Sequence, residues 1–262
     1  MLLTLYNHRR YILNSALADL RHRYAGTSLG FVWNVLQPLA LILIFSLVFS
    51  RIVPLRSAGT ASKGVAFLLY LCTGYLPWLG FADCLMRSLN ALLDNATYLK
   101  KLPIPEHVFV AKAALSSLMS MMLSLLLLPL LFIVVGQPIG GSILAVVPAA
   151  ILLIGFAFGL GLFLGTLNVF FRDIAHLTAV VLQLWMWCSP IVYTVEIVPE
   201  RYRYLFWLNP VHPYILAIRE ALLERQLASP GTWLAMVGWD AAAIILGVSV
   251  MGRLRHEIRD VL

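Results

Sequence analysis

ILAVVPAAILLIGFAFGLGLFLGTLNVFF, residues Ile143–Phe171, runs without a charged side chain and is long enough to cross a bilayer, which takes about 20 apolar residues. Further runs of the same character lie at Leu29–Val53, Val65–Leu89, Val108–Val135, Leu177–Val195 and Trp233–Met251. The pattern predicts an all-α membrane protein with six transmembrane helices. Composition agrees: of 262 residues 61% are hydrophobic and 12% charged, against about 25% charged in a soluble domain. Too few polar side chains remain to clothe a water-facing globule.

The formal net charge is +7. Its basic residues sit beside apolar runs, as headgroup anchors do, so the charge points to membrane lipids as partners and not to nucleic acid. Cys72, Cys84 and Cys188 lie in apolar segments without metal-ligand spacing and read as inert thiols, so no metal site is expected. The first long run begins near Leu29, too late and too long for a cleaved leader, and should stay as a span. An inside N-terminus puts the larger share of the 19 Lys and Arg on the cytoplasmic side, which places both termini there.

Before the first span, Leu13, Leu17, Leu20 and Tyr24 recur at helical spacing over Leu5–Tyr24, with a cationic polar face. This is the pattern of a helix lying in the membrane interface; Gly26 can end it and Ser28 can start the next helix. Arg9, Arg10, Arg21 and Arg23 then become candidates for admitting an anionic lipid headgroup. Pro38 should kink the first span. Gly155, Gly159, Gly161 and Gly165 form two overlapping small-xxx-small pairs, suited first to packing within the chain and second to a dimer seam. The whole chain, 1–262, reads as one transmembrane domain: interface helix 1–28, five spans over 29–195, an irregular outer region 196–231, and the last span with its tail over 232–262.

No phosphate-binding G-x-x-x-x-G-K-[ST] loop occurs; the nearest string, Gly59–Gly64, has the wrong order. Energy for uphill transport must come from a partner or an ion gradient. Ionisable residues inside spans are few: Asp83, Arg87, Asp240 and His176. Asp83 and Arg87, four apart, could neutralise each other, and Asp240 stands alone, a thin set for an ion-coupled carrier. A membrane transferase would need clustered acid–base or metal groups, whereas His107, His176, His212 and Asp240 are scattered. The chain is not expected to be an enzyme.

The link Asp94–Glu106 is polar and stiffened by Pro103 and Pro105. It reads as a plain loop or as a short helix that engages a cytoplasmic engine. Glu196–Gly231 is too apolar for a solvated loop and is broken by Pro199, Pro210 and Pro213. Short helices dipping back into one leaflet fit it, since irregular backbone survives at membrane depth only inside protein or along a cavity. Aromatic residues near span ends serve as belt anchors; flat rings also suit weak contact with the C–H faces of sugars, for which Trp33, Tyr75, Trp78, Trp185, Tyr193 and Trp207 are the candidates.

Several strings together resemble the permease subunits of ABC-2-type polysaccharide and polyol-phosphate exporters, which serve O-antigen, teichoic acid and capsule export. They are Asp19–Gly30 running into Trp33–Pro38, Lys101–Pro105, Asn168–Ile174, Ser189–Tyr193 and Leu208–Pro210. The resemblance covers nearly the whole chain, and the opening run is closer to the O-antigen and teichoic acid branch. It implies a homodimer in the inner membrane with two copies of a separate ATP-binding cassette subunit, which would bind ATP and Mg; this chain would carry no cofactor. It implies a lipid-linked glycan as cargo, with periplasmic export proteins as candidate further partners. It implies that Asp94–Glu106 holds the helix coupling to the ATPase, with Asp94, Tyr98, Lys100, Lys101, Pro103 and Glu106 as contacts. It also implies that the outer segment forms re-entrant gate helices, with Pro199, Tyr202, Tyr204, Pro210 and Pro213 as their framework. A drug or small-lipid exporter of the same superfamily is the alternative.

Overall fold

The computed structural model describes residues 1–23, 30–49, 63–101 and 103–261. Among them every regular element is helical: α1 (Leu2–Asn7), α2 (Arg9–Arg23), α3 (Trp33–Phe49), α4 (Lys63–Asp94), α5 (Ala96–Lys101), α6 (Glu106–Leu125), α7 (Leu127–Val134), α8 (Val146–Phe170), α9 (Asp173–Cys188), α10 (Tyr204–Leu208), α11 (His212–Arg219) and α12 (Pro230–Val261). The expected roles of Gly26 and Ser28, the string before Lys63, and Leu102 fall outside the described residues.

Four helices among the described residues are long and apolar enough to cross a membrane: Gly64–Asp94, Glu106–Val134, Gly141–Phe170 and Pro230–Arg255. Two further apolar helical stretches, Leu36–Phe45 and Asp173–Cys188, are shorter. At 1.5 Å per residue α9 reaches only about 24 Å, less than the hydrocarbon thickness of about 30 Å. Ser189 and Pro190 stop it, because Ser189 adopts extended backbone (ψ 141°) and Pro190 cannot continue the ladder. Pro129 has no N–H to return to Leu125, and the junction between α6 and α7 falls one turn earlier at Leu126.

The glycines of α8 are spent inside the chain. A Cβ on Gly159 would lie 2.6 Å from the Ile244 nitrogen and 2.7 Å from the Ala243 carbonyl carbon of α12. Gly247 of α12 returns the approach, since a Cβ there would lie 2.5 Å from the Gly159 oxygen. On the opposite flank a Cβ at Gly161 would collide with the Ser88 side chain, and one at Gly165 would lie 3.1 Å from the Ser88 oxygen, both on α4. Lipid tails are as apolar as leucine, so helices associate in a bilayer through such close backbone packing. Thus α8 forms the centre, with α12 and α4 on its two sides, and α6 packs on α4. Phe67, Leu71, Leu76, Phe81, Leu153 and Tyr214 fill the main core. Leu43, Leu47, Leu184, Leu234 and Ile245 are exposed on the outside, as a lipid-facing surface requires.

The N-terminal amphipathic segment is two helices, not one, because the chain turns at His8. α2 lies on α6 and buries Ile12 and Ala16, while Leu13 (44%) and Leu17 (42%) stay exposed. Its leucines therefore face away from the bundle, the orientation of a helix that also contacts lipid.

Candidate functional site

The carboxylates and guanidinia of α2 and α4 pair crosswise. Arg23 donates to Asp83 twice, Nη2 to Oδ1 at 2.7 Å and Nη1 to Oδ2 at 3.1 Å. Asp19, one turn earlier on α2, accepts from Arg87 at 3.1 Å and meets Lys112 of α6 at 3.1 Å. The expected pairing of Asp83 with Arg87 along one helix is thus replaced by two pairings across helices, since α2 brings an opposite charge to each. Ser117 adds a hydrogen bond to Asp83 Oδ2 at 2.7 Å.

Above this ladder lies a cleft of about 530 Å³ between α2, α3, α4 and α6, with Arg23, Trp33, Asn34, Gln37, Asp83 and Ser120 among its walls. Ser120 donates to Asn34 Oδ1 at 2.8 Å, and Asn34 donates to the Ser120 oxygen and to Ser124 Oγ, each at 3.2 Å. Ser116, Ser120 and Ser124 recur every four residues and line one flank of α6. That polar stripe in an apolar run was visible in the sequence, and the reading of motifs passed over it. The structure brings Arg23 and Trp33 to one cleft. Arg9 and Arg10 stand at the other end of α2, about 20 Å from Arg23 at 1.5 Å per residue; Arg9 folds onto Tyr6, 4.2 Å from its ring centre. Arg21 is exposed.

The link between α4 and α6 holds a discrete helix, α5. Leu99 is 1% exposed and ties it to the second core cluster with Leu92, Phe109 and Ile258. Tyr98, Lys100, Lys101 and Pro103 are exposed. Asp94, the last residue of α4, is also exposed and borders a polar cavity of about 360 Å³ together with Asp19, Arg87 and Lys112. Glu106 is turned inward, 1% exposed, and meets Arg255 of α12 at 3.2 Å. Tyr98, Lys100 and Lys101 therefore share an exposed helix, and Asp94 and Glu106 do not belong to it.

The outer segment is held by Arg219, which the local sequence does not single out. Its guanidinium is buried, donates to the Pro190 and Ile191 carbonyls (Nη2 to the Ile191 oxygen at 3.0 Å), and lies 3.7 Å over the Tyr70 ring. Gly74 leaves room for it: a Cβ there would be 2.6 Å from Nη2. Tyr70 donates to the Tyr193 oxygen at 2.9 Å, so two side chains grip the Ser189–Tyr193 corner. Asn209 ties the same corner to Leu208–Pro210, donating to Ser189 Oγ at 2.8 Å and accepting from Trp185 Nε1 at 2.8 Å. Nothing in the local sequence separates Arg219 from Arg225, which is exposed; only the fold does.

Trp78 and Trp185 meet with ring centres 6.1 Å apart in a cluster with Phe81 and Phe156. Trp78 and Tyr75 are buried, at 3% and 5% exposure, whereas Trp207 is 61% and Trp33 43% exposed. Tyr193 stacks near Phe206 at 6.3 Å. The six candidate aromatics therefore occupy several places and form no single stripe within one chain. In the outer segment Tyr202 and Tyr204 are exposed with Pro199, Pro213 is buried, and Pro210 is intermediate. Asp240 is paired after all, since Tyr214 donates to it at 2.6 Å from α11. Among the described residues no three His, Cys, Asp or Glu side chains gather into a metal set.

Comparison with known proteins places this architecture. An O-antigen export system permease protein RfbA from Klebsiella pneumoniae is 24% identical over 246 residues, covering 93% of this chain and 92% of the relative. The RfbA protein of the same description from Myxococcus xanthus is 23% identical over 258 residues, 98% and 96% of the two chains. The polysialic acid transport protein KpsM of Escherichia coli is 25% identical over 243 residues, 92% of each. The family model described as ABC-2 type transporter matches residues 15–223, from within α2 to the end of the clamped outer segment. The chain is a multi-pass membrane transport protein and belongs to the ABC-2 type transporter family.

Proposed function

We propose that this chain is the permease subunit of an exporter that carries a lipid-linked polysaccharide outward across the inner membrane, driven by ATP hydrolysed in a separate subunit. The observation that carries the reading is end-to-end similarity to proteins named for O-antigen and polysialic acid transport, above 90% of both chains. On this reading α3 and α9 join the four long helices to make six spans, both termini are cytoplasmic, and the 196–231 region forms a re-entrant outer gate. Two copies of the chain and two ATP-binding subunits complete the transporter. The exposed Tyr98, Lys100 and Lys101 of α5 engage the ATPase, and α5 is suited to this because Leu99 roots it in the core. ATP binding moves α5, α4 and α6 carry the motion, and the lipid-linked glycan advances. The cationic ends of α2 meet the anionic headgroup as it approaches.

The test is co-purification with an ATP-binding cassette subunit from the same cells, then measurement of surface polysaccharide in cells lacking the permease. A stable complex and restored polysaccharide are expected. A complex without restored polysaccharide would move the cargo to small lipids or drugs. Absence of any ATPase partner would overturn the reading in favour of an ion-coupled carrier.

A further inference from the structure

The cleft beside α2 is richer in hydrogen-bonding groups than its ion pair needs. α6 turns Ser117, Ser120 and Ser124 into it, and α3 supplies Asn34 and Gln37 from across the gap. Asn34 and the serines already hold one another, Ser120 to Asn34 at 2.8 Å and Asn34 to Ser124 at 3.2 Å, so the polar wall is organised in advance. The Trp33 indole stands in the wall with 43% of its surface free. At about 530 Å³ the space falls within the 300–1,000 Å³ typical of small-molecule sites.

Charge decides what such a space suits. Arg23 is the cation among the lining residues, and Asp83 faces it through two bonds, 2.7 and 3.1 Å. The pair sums to zero. A phosphate taking Arg23 would have to break both bonds, leave Asp83 with Ser117, and bring two anions together in a cleft only partly open to solvent. An uncharged polyol meets no such cost. Its hydroxyls both donate and accept, which matches amide and hydroxyl walls, and its C–H face packs on a flat ring.

We propose that the cleft between α2, α3, α4 and α6 of a single subunit binds an uncharged sugar unit of the cargo. Gln37 and the α6 serines bond its hydroxyls, and Trp33 packs against its ring face. The proposal rests on the polysaccharide reading above and adds a site inside each subunit, with selection by neutrality. Phosphate-bearing headgroups are left to Arg9, Arg10 and Arg21 of α2.

The test is saturation-transfer NMR on the full-length permease in nanodiscs, with maltoheptaose as the neutral probe and inorganic pyrophosphate as the anionic one. Maltoheptaose is expected to show transfer that falls at least 5-fold in Gln37→Leu and in Trp33→Leu. It should stay within 2-fold in Gly252→Ala, a control on α12 that does not line the cleft. Ser124→Ala supplies a milder change should either larger substitution disturb folding, judged by the thermal transition of each variant. Three results would overturn the proposal: no transfer to maltoheptaose, transfer unchanged in the Gln37, Trp33 and Ser124 variants, or pyrophosphate binding that depends on Arg23. Failure of the exporter reading shows elsewhere, as normal surface polysaccharide in cells without the gene.

Discussion

Arg219 lies 3.7 Å over the ring of Tyr70, and between them they hold the chain where α9 ends: Arg219 through the Pro190 and Ile191 carbonyls, Tyr70 through that of Tyr193. A buried arginine and a half-buried tyrosine thus fix the turn from which the outer segment departs. Arg219→Met would remove the guanidinium and leave the Ile191 carbonyl without it, at about 1–3 kcal/mol for a buried unsatisfied group, while Pro190 keeps the Tyr70 hydroxyl at 3.3 Å. We expect a loss of roughly 2–4 kcal/mol, measured as a lower thermal transition in mild detergent. Arg219→Lys should recover only part of it, because an ammonium cannot serve both carbonyls and the ring in the guanidinium's planar geometry. A transition equal to wild type in Arg219→Met would refute the clamp.

The crossed ladder between α2 and α4 gives a second expectation. Asp19 meets both Arg87 and Lys112 at 3.1 Å, but these side chains are 16–31% exposed, so solvent screening trims the gain. Asp19→Asn should cost about 1 kcal/mol and act locally on the docking of α2. Amide hydrogen exchange over residues 9–23 should speed up by about 5-fold, while α8 stays as protected as before. Uniform acceleration across the bundle would mean that the ladder supports the whole fold instead.

Close packing at the α8–α12 crossing leaves no room for a side chain. Gly159→Leu would drive atoms into the Ala243–Ile244 backbone, and the protein should fail to accumulate in the membrane. Gly252→Ala on the same α12 meets nothing within 4 Å and should be neutral or slightly stabilising through helix propensity. Quantitative immunoblotting of membrane fractions separates the two; equal abundance of both variants would contradict the crossing.

On α5 the expected split is between folding and transmission. Lys101→Glu alters an exposed charge and should move stability by no more than about 0.5 kcal/mol, yet it should lower ATPase association and surface polysaccharide several-fold. Leu99→Asp buries a charge in the second core cluster and should lose both folding and export. Normal export by Lys101→Glu would remove α5 from the coupling path.

Much of the architecture was readable in one dimension because a bilayer makes the reading simple. Backbone groups in hydrocarbon must bond within their own helix, so a long apolar run without charge has one available structure. That logic found the long helices and the irregularity of 196–231. The same economy of small residues made intrachain packing the first choice for the α8 glycines, and α12 and α4 occupy both flanks. Periodicity likewise found a helical N-terminus, though not its break at His8, where a local turn leaves no periodic mark.

Partner choice among charged residues was decided in three dimensions. Asp83 and Arg87 are four apart on α4 and read as a pair, yet each finds a partner on α2, because side chains across a helix interface can meet more directly than neighbours along one helix surface. Arg219 and Arg225 look alike in sequence; one is buried against Tyr70 and two carbonyls while the other is exposed, and only the path of α11 past α4 separates them. Hydropathy and spacing are properties of a segment and survive in the sequence. Pairing energies belong to two segments at once, and the tertiary structure alone sets which segments meet.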